Sequence, residues 1–165
     1  MRTETKIIKI YKFDELSKEI QQELIEKEIE QQALIYCENF LLEDMQEEAK
    51  RLLQKYFGDK ATFKKVYYDL SYCQGSGAMI EFDLIYYNID IKIRHYGHYC
   101  HECSFDLDWW GYLGDYRQNK LKEKIIEMNL ELKKVGYDLI DEPYTDEDII
   151  DLLKENEYTE DGERI

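Results

Sequence analysis

The hydrophobic pattern changes its period in the middle of the chain, and this change restricts the possible folds more than any other feature. On either side of the middle, apolar side chains recur every three or four positions, which is the period of an α-helix. Between residues 63 and 110 they alternate with polar side chains, as in strands that are buried on one side. The alternation falls in four runs, at 66–72, 80–84, 89–93 and 103–107. The sequence therefore predicts four antiparallel strands in a meander.

The hairpin between the last two runs has a register that the sequence favours. Centring the turn on His98, which follows a glycine, places all apolar side chains of the two strands on one face. The opposed pairs are then Ile89 with Leu107, Ile91 with Phe105 and Ile93 with Cys103. Sliding one strand by a single residue would oppose isoleucine to serine or aspartate, so we expect the centred register.

Two helices are predicted before the meander. A strand at 6–13 leads into the first helix, which either Asp14 or Ser17 can cap. The second helix covers 36–57, and Gly58 ends it because glycine readily adopts the left-handed conformation that closes a helix. The apolar stripe of this second helix consists of Leu41, Met45, Ala49, Leu52 and Tyr56.

Two further helices are predicted after the meander. The third covers 115–135 and ends at Gly136. The fourth begins after Thr145, whose hydroxyl can accept a bond from a first-turn N–H, and it reaches about Glu155. The remaining residues, 158–165, are expected to add an edge strand or to fray. The inward side chains of the third helix are Leu121, Ile125, Met128 and Leu132.

These elements together predict an α+β fold, a four-stranded antiparallel β-meander with helices packed on one face. The length of 165 residues and the lack of a proline- or serine-rich linker favour a single domain over 1–165. Within it we expect an N-terminal strand with two helices at 1–58, the meander at 63–110, and C-terminal helices with an acidic tail at 115–165. With neither an apolar run of ~18 residues nor a secretory signal, the sequence predicts a cytoplasmic protein.

The chain is strongly acidic, and the charge is concentrated near its C-terminal end. Lysine and arginine number 22 and aspartate and glutamate 37, which gives a formal charge of −15. The last 28 residues hold twelve acidic and two basic side chains, a net charge of −10. Such a field repels nucleic-acid phosphates and anionic lipids and attracts basic surfaces. We therefore expect no direct binding to nucleic acid or to a membrane.

The acidic segment has two interpretations. The carboxylates either keep the surface hydrated, or they imitate a phosphate array and occupy the basic nucleic-acid groove of another protein. The acidic contact residues expected from the second interpretation are Asp138, Asp141, Glu142, Asp146, Glu147, Asp148, Asp151 and Glu155. The expected aromatic contact residues are Tyr67, Tyr86, Trp110 and Tyr144. Trp110 is included because it breaks the alternation of its strand, so that its ring would be exposed.

All three histidines and two cysteines cluster between residues 95 and 103. Histidine and cysteine are the usual ligands of zinc, and in the centred register His95 and His101 would be cross-strand neighbours, with Cys103 further along. The spacing nevertheless matches no zinc-finger or zinc-ribbon pattern. We therefore expect no metal and no other cofactor, and if zinc does bind, these three residues are its expected ligands.

A thiol nucleophile is the remaining chemical alternative. Cys100 or Cys103 beside a histidine could attack a substrate if an exposed cleft surrounded the thiolate. Cysteines in a β-hairpin more often pack as small apolar side chains. We therefore expect no enzymatic activity, and a zinc- or thiol-dependent enzyme centred on 95–103 stands as the second alternative.

Several segments resemble a recurring group of small proteins encoded by bacteriophages and prophages. The similar stretches are YKFDELS at 11–17, YDLSYCQGSGA at 68–78, HYGHYCHE at 95–102 and NEYTEDGERI at 156–165. The group usually has aspartate in place of Ser76, and its members are often labelled as the antitoxin of a toxin–antitoxin stability system. The resemblance implies a phage product that acts on a component of its bacterial host cell, and it brings no established catalytic residues.

The sequence and this resemblance together predict a phage-encoded, non-enzymatic inhibitor of the anti-CRISPR or anti-defence kind. Its partner would be a host protein with a basic nucleic-acid-binding surface, such as a CRISPR effector, bound through an acidic, tyrosine-rich surface. The alternative is an antitoxin that neutralises a basic toxin. A homo-oligomer is compatible with either function.

Overall fold

The computed structural model describes residues 9–141 and 144–165, which form two compact units. The middle unit is residues 39–141, and the terminal unit combines 9–38 with 144–165. In chain order the elements are β1 (Tyr11–Lys12), α1 (Lys18–Asn39), α2 (Leu41–Phe57), β2 (Ala61–Asp69), β3 (Gly77–Tyr86), β4 (Ile89–His95), β5 (Phe105–Trp109), α3 (Asp115–Asp141), α4 (Asp146–Lys154) and β6 (Glu157–Tyr158). The segments expected from sequence follow chain order, whereas the terminal unit combines two distant parts of the chain. The single domain stays a prediction.

The middle unit contains the predicted meander. Strands β2, β3, β4 and β5 lie side by side in chain order, and each is antiparallel to the next. Helices α2 and α3 contact each other, α2 contacts β2, and α3 contacts β3. The fold is therefore α+β, as predicted, while the packing of all helices on one face stays a prediction.

The predicted helix stripes form much of the core of the middle unit. Every inward residue expected on α3 is fully buried, and all those expected on α2 are buried except Tyr56, which is half-buried. Most of the strand residues buried with them alternate as the period of two requires, namely Val66, Ile80, Phe82, Leu84, Ile91 and Ile93. Ala78 and Met79 at the start of β3 are also fully buried, so β3 is buried on both faces there.

Two predicted helix boundaries are wrong. Residues 36–39 belong to the end of α1, and α2 begins at Leu41. Gly136 does not end α3, which continues to Asp141. A Cβ on Gly136 would lie 2.9 Å from the Leu70 side chain and 3.1 Å from the Met45 sulfur. This glycine therefore allows close packing on a helix face, a role that sequence cannot distinguish from helix termination. Gly58, with a φ of 60°, closes α2 as predicted.

The terminal unit has a two-stranded sheet, β1 paired with β6. The predicted strand at 6–13 is too long, because only Tyr11–Lys12 is strand, Phe13–Glu15 is a 3₁₀-helix, and residues 6–8 lie outside the described residues. Ser17 caps α1, since its Oγ accepts a bond from the Ile20 N–H at 3.4 Å. Of the edge strand or fraying expected for 158–165, a short strand is observed, but it covers only Glu157–Tyr158 and pairs with β1.

The core of the terminal unit forms around α4 and the two short strands. Its buried residues are Phe13, Leu16, Ile149, Leu153 and Tyr158. The Tyr158 hydroxyl donates to the Leu153 carbonyl at 2.9 Å, so this tyrosine satisfies its polar end internally. The predicted start of α4 is confirmed, because the hydroxyl of Thr145 accepts from the Asp148 N–H at 3.3 Å in a capping box.

The register predicted for the last hairpin is wrong. Ile93 lies opposite Leu107 rather than Cys103, and Ile91 lies opposite Trp109 rather than Phe105. Each residue of β4 thus faces a residue four positions beyond the expected one. A shift by an even number preserves the alternation of faces, so apolar side chains still oppose apolar ones and the hydrophobic pattern cannot tell the two registers apart. The loop at 96–104, which is longer than the turn of the centred register, determines which register forms.

Candidate protein-interaction surface

Four strongly exposed aromatic side chains lie near one end of the sheet. Tyr87 is in the turn between β3 and β4, and the others follow β5 or begin α3. Because Trp109 at the end of β5 pairs with Ile91 near the start of β4, the turn and the chain after β5 leave the sheet at the same end. We call these four residues and Arg117 the aromatic surface. The exposed fractions are 60% for Tyr87, 96% for Trp110, 90% for Tyr112 and 74% for Tyr116.

The β3–β4 turn holds its aromatic residue in an unusual backbone conformation. Tyr87 and Asn88 have φ values of 50° and 62°, as in the two-residue turns that twist with the strands. Glycine and asparagine suit such positions, whereas an exposed tyrosine there is uncommon. The Tyr87 ring packs edge-on against Tyr86, with centroids 4.7 Å apart, and burial raises the pKa of Tyr86. Strained residues of this kind cluster at binding sites.

Arg117 links the start of α3 to this turn. Its guanidinium carbon lies 4.2 Å from the centroid of the Tyr87 ring, which is within the range of a cation–π contact. This contact brings the two parts of the aromatic surface together, because it joins a turn of the sheet to the first turn of the helix. Trp, Tyr and Arg are the residue types that contribute most to protein–protein binding.

Two carboxylates that form no ion pair, Asp90 and Asp108, lie beside the aromatic surface, and a third, Asp106, lies farther along β5. Asp106 and Asp108 alternate with the inward side chains of β5, and continuing the observed register by one pair would place Asp90 opposite Trp110. In the described part of the chain, no side chain forms an ion pair or hydrogen bond with Asp90, Asp106 or Asp108. Arg94, which faces Asp106, instead binds the Asp83 carboxylate. This end of the sheet therefore combines exposed aromatic rings with free negative charge.

Helix α4 in the terminal unit carries four of the eight expected acidic contact residues. Two of its carboxylates already have partners. Asp148 accepts a hydrogen bond from the Thr145 hydroxyl at 2.6 Å, which lowers the Asp148 pKa, and Asp151 lies 3.6 Å from the Lys154 ammonium. Asp148 is thus a structural residue of the helix start. The other expected residues on or beside this helix, all exposed, are Asp146, Glu147 and Glu155.

Two of the remaining expected acidic residues lie in the middle unit. Asp138 and Asp141 lie near the end of α3 in the middle unit, and Glu142 lies outside the described residues. Asp141 accepts a hydrogen bond from the Tyr72 hydroxyl, and this bond raises the pKa of Tyr72 to about 12. The structure therefore divides the acidic residues that are consecutive in sequence between two units.

Of the four expected aromatic contact residues, only Trp110 belongs to the aromatic surface, and Tyr86 packs beside it against Tyr87. Tyr67 is half-buried and stacks on the His95 ring, with centroids 4.3 Å apart. Tyr144 packs against the core of the terminal unit. The sequence interpretation missed the other three tyrosines because it searched the strands, whereas these residues lie in a turn, a loop and a helix start. A concentration of aromatic residues at 109–116, outside any periodic pattern, was the available signal.

The histidine and cysteine cluster does not form the arrangement expected from the centred register. His95 lies opposite Phe105 rather than His101, and its Nε2 is 3.0 Å from the Tyr99 carbonyl oxygen. His101 and Cys103 lie in the loop that follows. Within 9–141 and 144–165, no three side chains of metal-binding type are placed to hold an ion together.

The thiol with a lowered pKa is not one of the two expected. Burial raises the pKa of Cys100, which disfavours the thiolate that a nucleophile needs. Cys73 has its pKa lowered, first because the Ser71 hydroxyl donates to its sulfur at 3.2 Å, and then by bonds from Ser76 and the Gly75 N–H. These bonds also hold the β2–β3 turn in shape. The sequence interpretation treated this segment only as a turn and missed the sulfur's role in it.

Comparison with known family models, curated proteins and solved structures finds no match to this chain. Across 9–141 and 144–165, the helices are all too short or too polar to cross a membrane.

Proposed function

We propose that this protein is a non-enzymatic inhibitor that binds a host protein through the aromatic surface and its unpaired carboxylates. The observation that supports this proposal most strongly is Trp110, which is 96% exposed beside Tyr112, 90% exposed. Large aromatic side chains rarely remain so exposed unless a partner covers them, and they are frequent among the residues that dominate binding energies. The phage-protein resemblance agrees with an inhibitor of a bacterial host component.

The charge of the chain defines the chemistry of the partner. A net charge of −15 repels nucleic acid and attracts basic proteins, and it increases the association rate at low salt. The free carboxylates beside Trp110 add the same preference locally. The partner we propose is therefore a nucleic-acid-handling protein, whose basic binding groove the inhibitor occupies.

The test is affinity capture followed by a competition assay. The full chain, the Trp110→Ala/Tyr112→Ala variant and a Tyr96→Ala control are each immobilised and exposed to host lysate. Tyr96 is also an exposed tyrosine of the middle unit, 68% exposed, but it lies outside the aromatic surface. We expect the double variant to lose the captured protein and the control to retain it.

The purified captured protein is then bound to nucleic acid and titrated with the inhibitor. Displacement of the nucleic acid, weakening as salt rises, is the expected result. Capture that survives the double substitution would show that another surface binds. Binding without displacement would contradict inhibition by occupation of the groove, and capture of a basic toxin would support the antitoxin alternative instead.

A further inference from the structure

We infer that the aromatic surface recognises arginine side chains, so that its occupant is an arginine-bearing segment of the partner protein. This inference rests on the proposed function and specifies the chemistry of the contact. The supporting observation is that unstacked aromatic rings and unpaired carboxylates lie together at the end of the β4–β5 hairpin that is opposite the 96–104 loop.

The aromatic rings and the carboxylates correspond to the two ways in which a guanidinium binds to proteins. A guanidinium is planar and stacks on the face of an aromatic ring, while its N–H groups form paired hydrogen bonds with a carboxylate. Trp110 and Tyr112 offer exposed rings, and Asp108 in β5 lies two residues before Trp110, which directly follows the strand. In the part of the chain described here, no ring or cation stacks on Trp110 or Tyr112. Both binding properties are thus unused in the free protein.

The surface already contains one example of the proposed contact. Arg117 lies over the Tyr87 ring at 4.2 Å, so a guanidinium is accepted on an aromatic face at this location. On the polar side of the same sheet, Arg94 binds Asp83 and lies 3.3 Å from Glu81. Lys92, by contrast, faces Asp108 across the strands but forms no ion pair with it in the described residues. The carboxylate beside Trp110 therefore remains open to an external cation.

Other occupants fit these observations less well. A purely apolar segment would bury the carboxylates without a partner, which is costly. A lysine ammonium is compact and strongly hydrated, so it gains less from stacking than a guanidinium. A second copy of the chain would bring another charge of −15 against the same surface. An arginine-bearing segment satisfies the rings and the carboxylates together.

The experiment compares two peptides of equal charge on the intact protein. Tetra-arginine and tetra-lysine are titrated by calorimetry into the full chain, and Trp emission is followed in parallel. We expect tetra-arginine to bind at least about fivefold more tightly than tetra-lysine, and to change the emission of the exposed Trp110. Equal affinities for the two peptides would overturn the inference, and this comparison requires no variant.

Two variants of equal charge then locate the site. Asp90→Asn/Asp108→Asn removes the carboxylates beside the rings, whereas Asp146→Asn/Glu147→Gln removes two exposed carboxylates of α4. We expect the first to weaken tetra-arginine binding by about fivefold or more and the second by less than about twofold. Equal weakening in both would show that only the overall negative charge attracts the peptide.

The two proposals can fail separately. If the arginine preference is absent but the captured host protein still depends on Trp110 and Tyr112, the inference is wrong and the inhibitor function stands. If tetra-arginine binds as expected but the Trp110→Ala/Tyr112→Ala variant still captures the host protein, the aromatic surface binds arginine but does not bind the host protein.

Discussion

Gly77 lies where two loops of the middle unit meet, and its missing side chain determines how closely they pack. A Cβ on this residue would clash with the Cys100 carbonyl oxygen and lie 2.9 Å from the His101 Cα. These are backbone atoms, so the 96–104 loop cannot yield by rotating a side chain. The loop that decides the β4–β5 register is thus held against the first residue of β3.

We predict that Gly77→Ala lowers the free energy of unfolding by about 2 kcal/mol, because the added methyl group overpacks a closed interface. Urea unfolding followed by circular dichroism measures the effect. Gly114→Ala is the matched control, since the nearest atom to its Cβ would be 3.7 Å away. Similar stability of the two variants would show that the loop does not rest on Gly77.

Asn129 is a polar residue of α3, and its side chain is fully buried. Its Oδ1 accepts from the Ile80 N–H at 3.2 Å, and its Nδ2 donates to the Glu102 carbonyl at 2.9 Å. Ile80 lies beyond the last β3–β4 pair, so the side chain replaces a missing backbone partner. One residue thus connects the helix, the sheet and the 96–104 loop.

Asn129→Leu should lower the free energy of unfolding by about 2 kcal/mol, because two backbone groups lose their partner. Asn119→Leu, on the exposed side of the same helix, is the control for a change in helix propensity. Hydrogen exchange at the Ile80 amide provides a local measurement, and we expect it to accelerate. Unchanged exchange there would contradict the proposed role of the Asn129 oxygen.

At the scale of elements, the start of α4 depends on a reciprocal pair. Asp148 accepts from the Thr145 hydroxyl and from its backbone N–H at 3.0 Å, and both bonds lower the Asp148 pKa. A carboxyl with a lowered pKa in the folded state contributes stability above its unfolded pKa, near 4. This contribution is lost as the pH falls through the folded value.

Asp148→Asn should therefore destabilise α4 at neutral pH, and the deficit relative to the natural chain should shrink below about pH 4. Asp146→Asn is the matched control, because it removes a first-turn charge that makes no capping contact. Hydrogen exchange of the α4 amides distinguishes the two. Equal protection factors in both variants at neutral pH would assign the whole effect to the helix dipole.

At the scale of the whole molecule, the charge of −15 opposes compaction through self-repulsion. Salt shortens the range of this repulsion to about 10 Å at 0.1 M. The ion pairs that the described residues do form are mostly exposed, as in Lys12–Glu157 and Lys55–Glu131, and exposed pairs contribute little. When salt is added, the screening of the repulsion between carboxylates should therefore affect stability more than the screening of the ion pairs.

We predict that raising sodium chloride from about 20 mM to 200 mM increases the free energy of unfolding by about 1 kcal/mol, as screening reduces repulsion. The midpoint of urea unfolding at each salt concentration gives the value, with sucrose of equal osmolality as the control for solvent exclusion. A lower midpoint at high salt would mean that ion pairs dominate the electrostatic free energy.

Local periodicity by itself determined much of this protein. The alternation between residues 63 and 110 predicted the meander, the stripes of α2 and α3 predicted their buried faces, and Thr145 predicted the start of α4. These predictions succeed because the side-chain period of a helix or strand depends on neighbouring residues alone.

Only the tertiary structure decided the features that depend on distant residues. The β4–β5 register differs from the expected one by an even shift, which leaves the hydrophobic pattern unchanged. Helix α3 continues through Gly136, where Leu70 and Met45 pack closely against the glycine, and the neighbouring sequence does not indicate these contacts. The acidic residues of the C-terminal segment divide between two units, while Tyr87 and Trp110 lie at one end of the sheet. Which side chains share a surface is set by packing between elements, and local sequence carries little information about that packing.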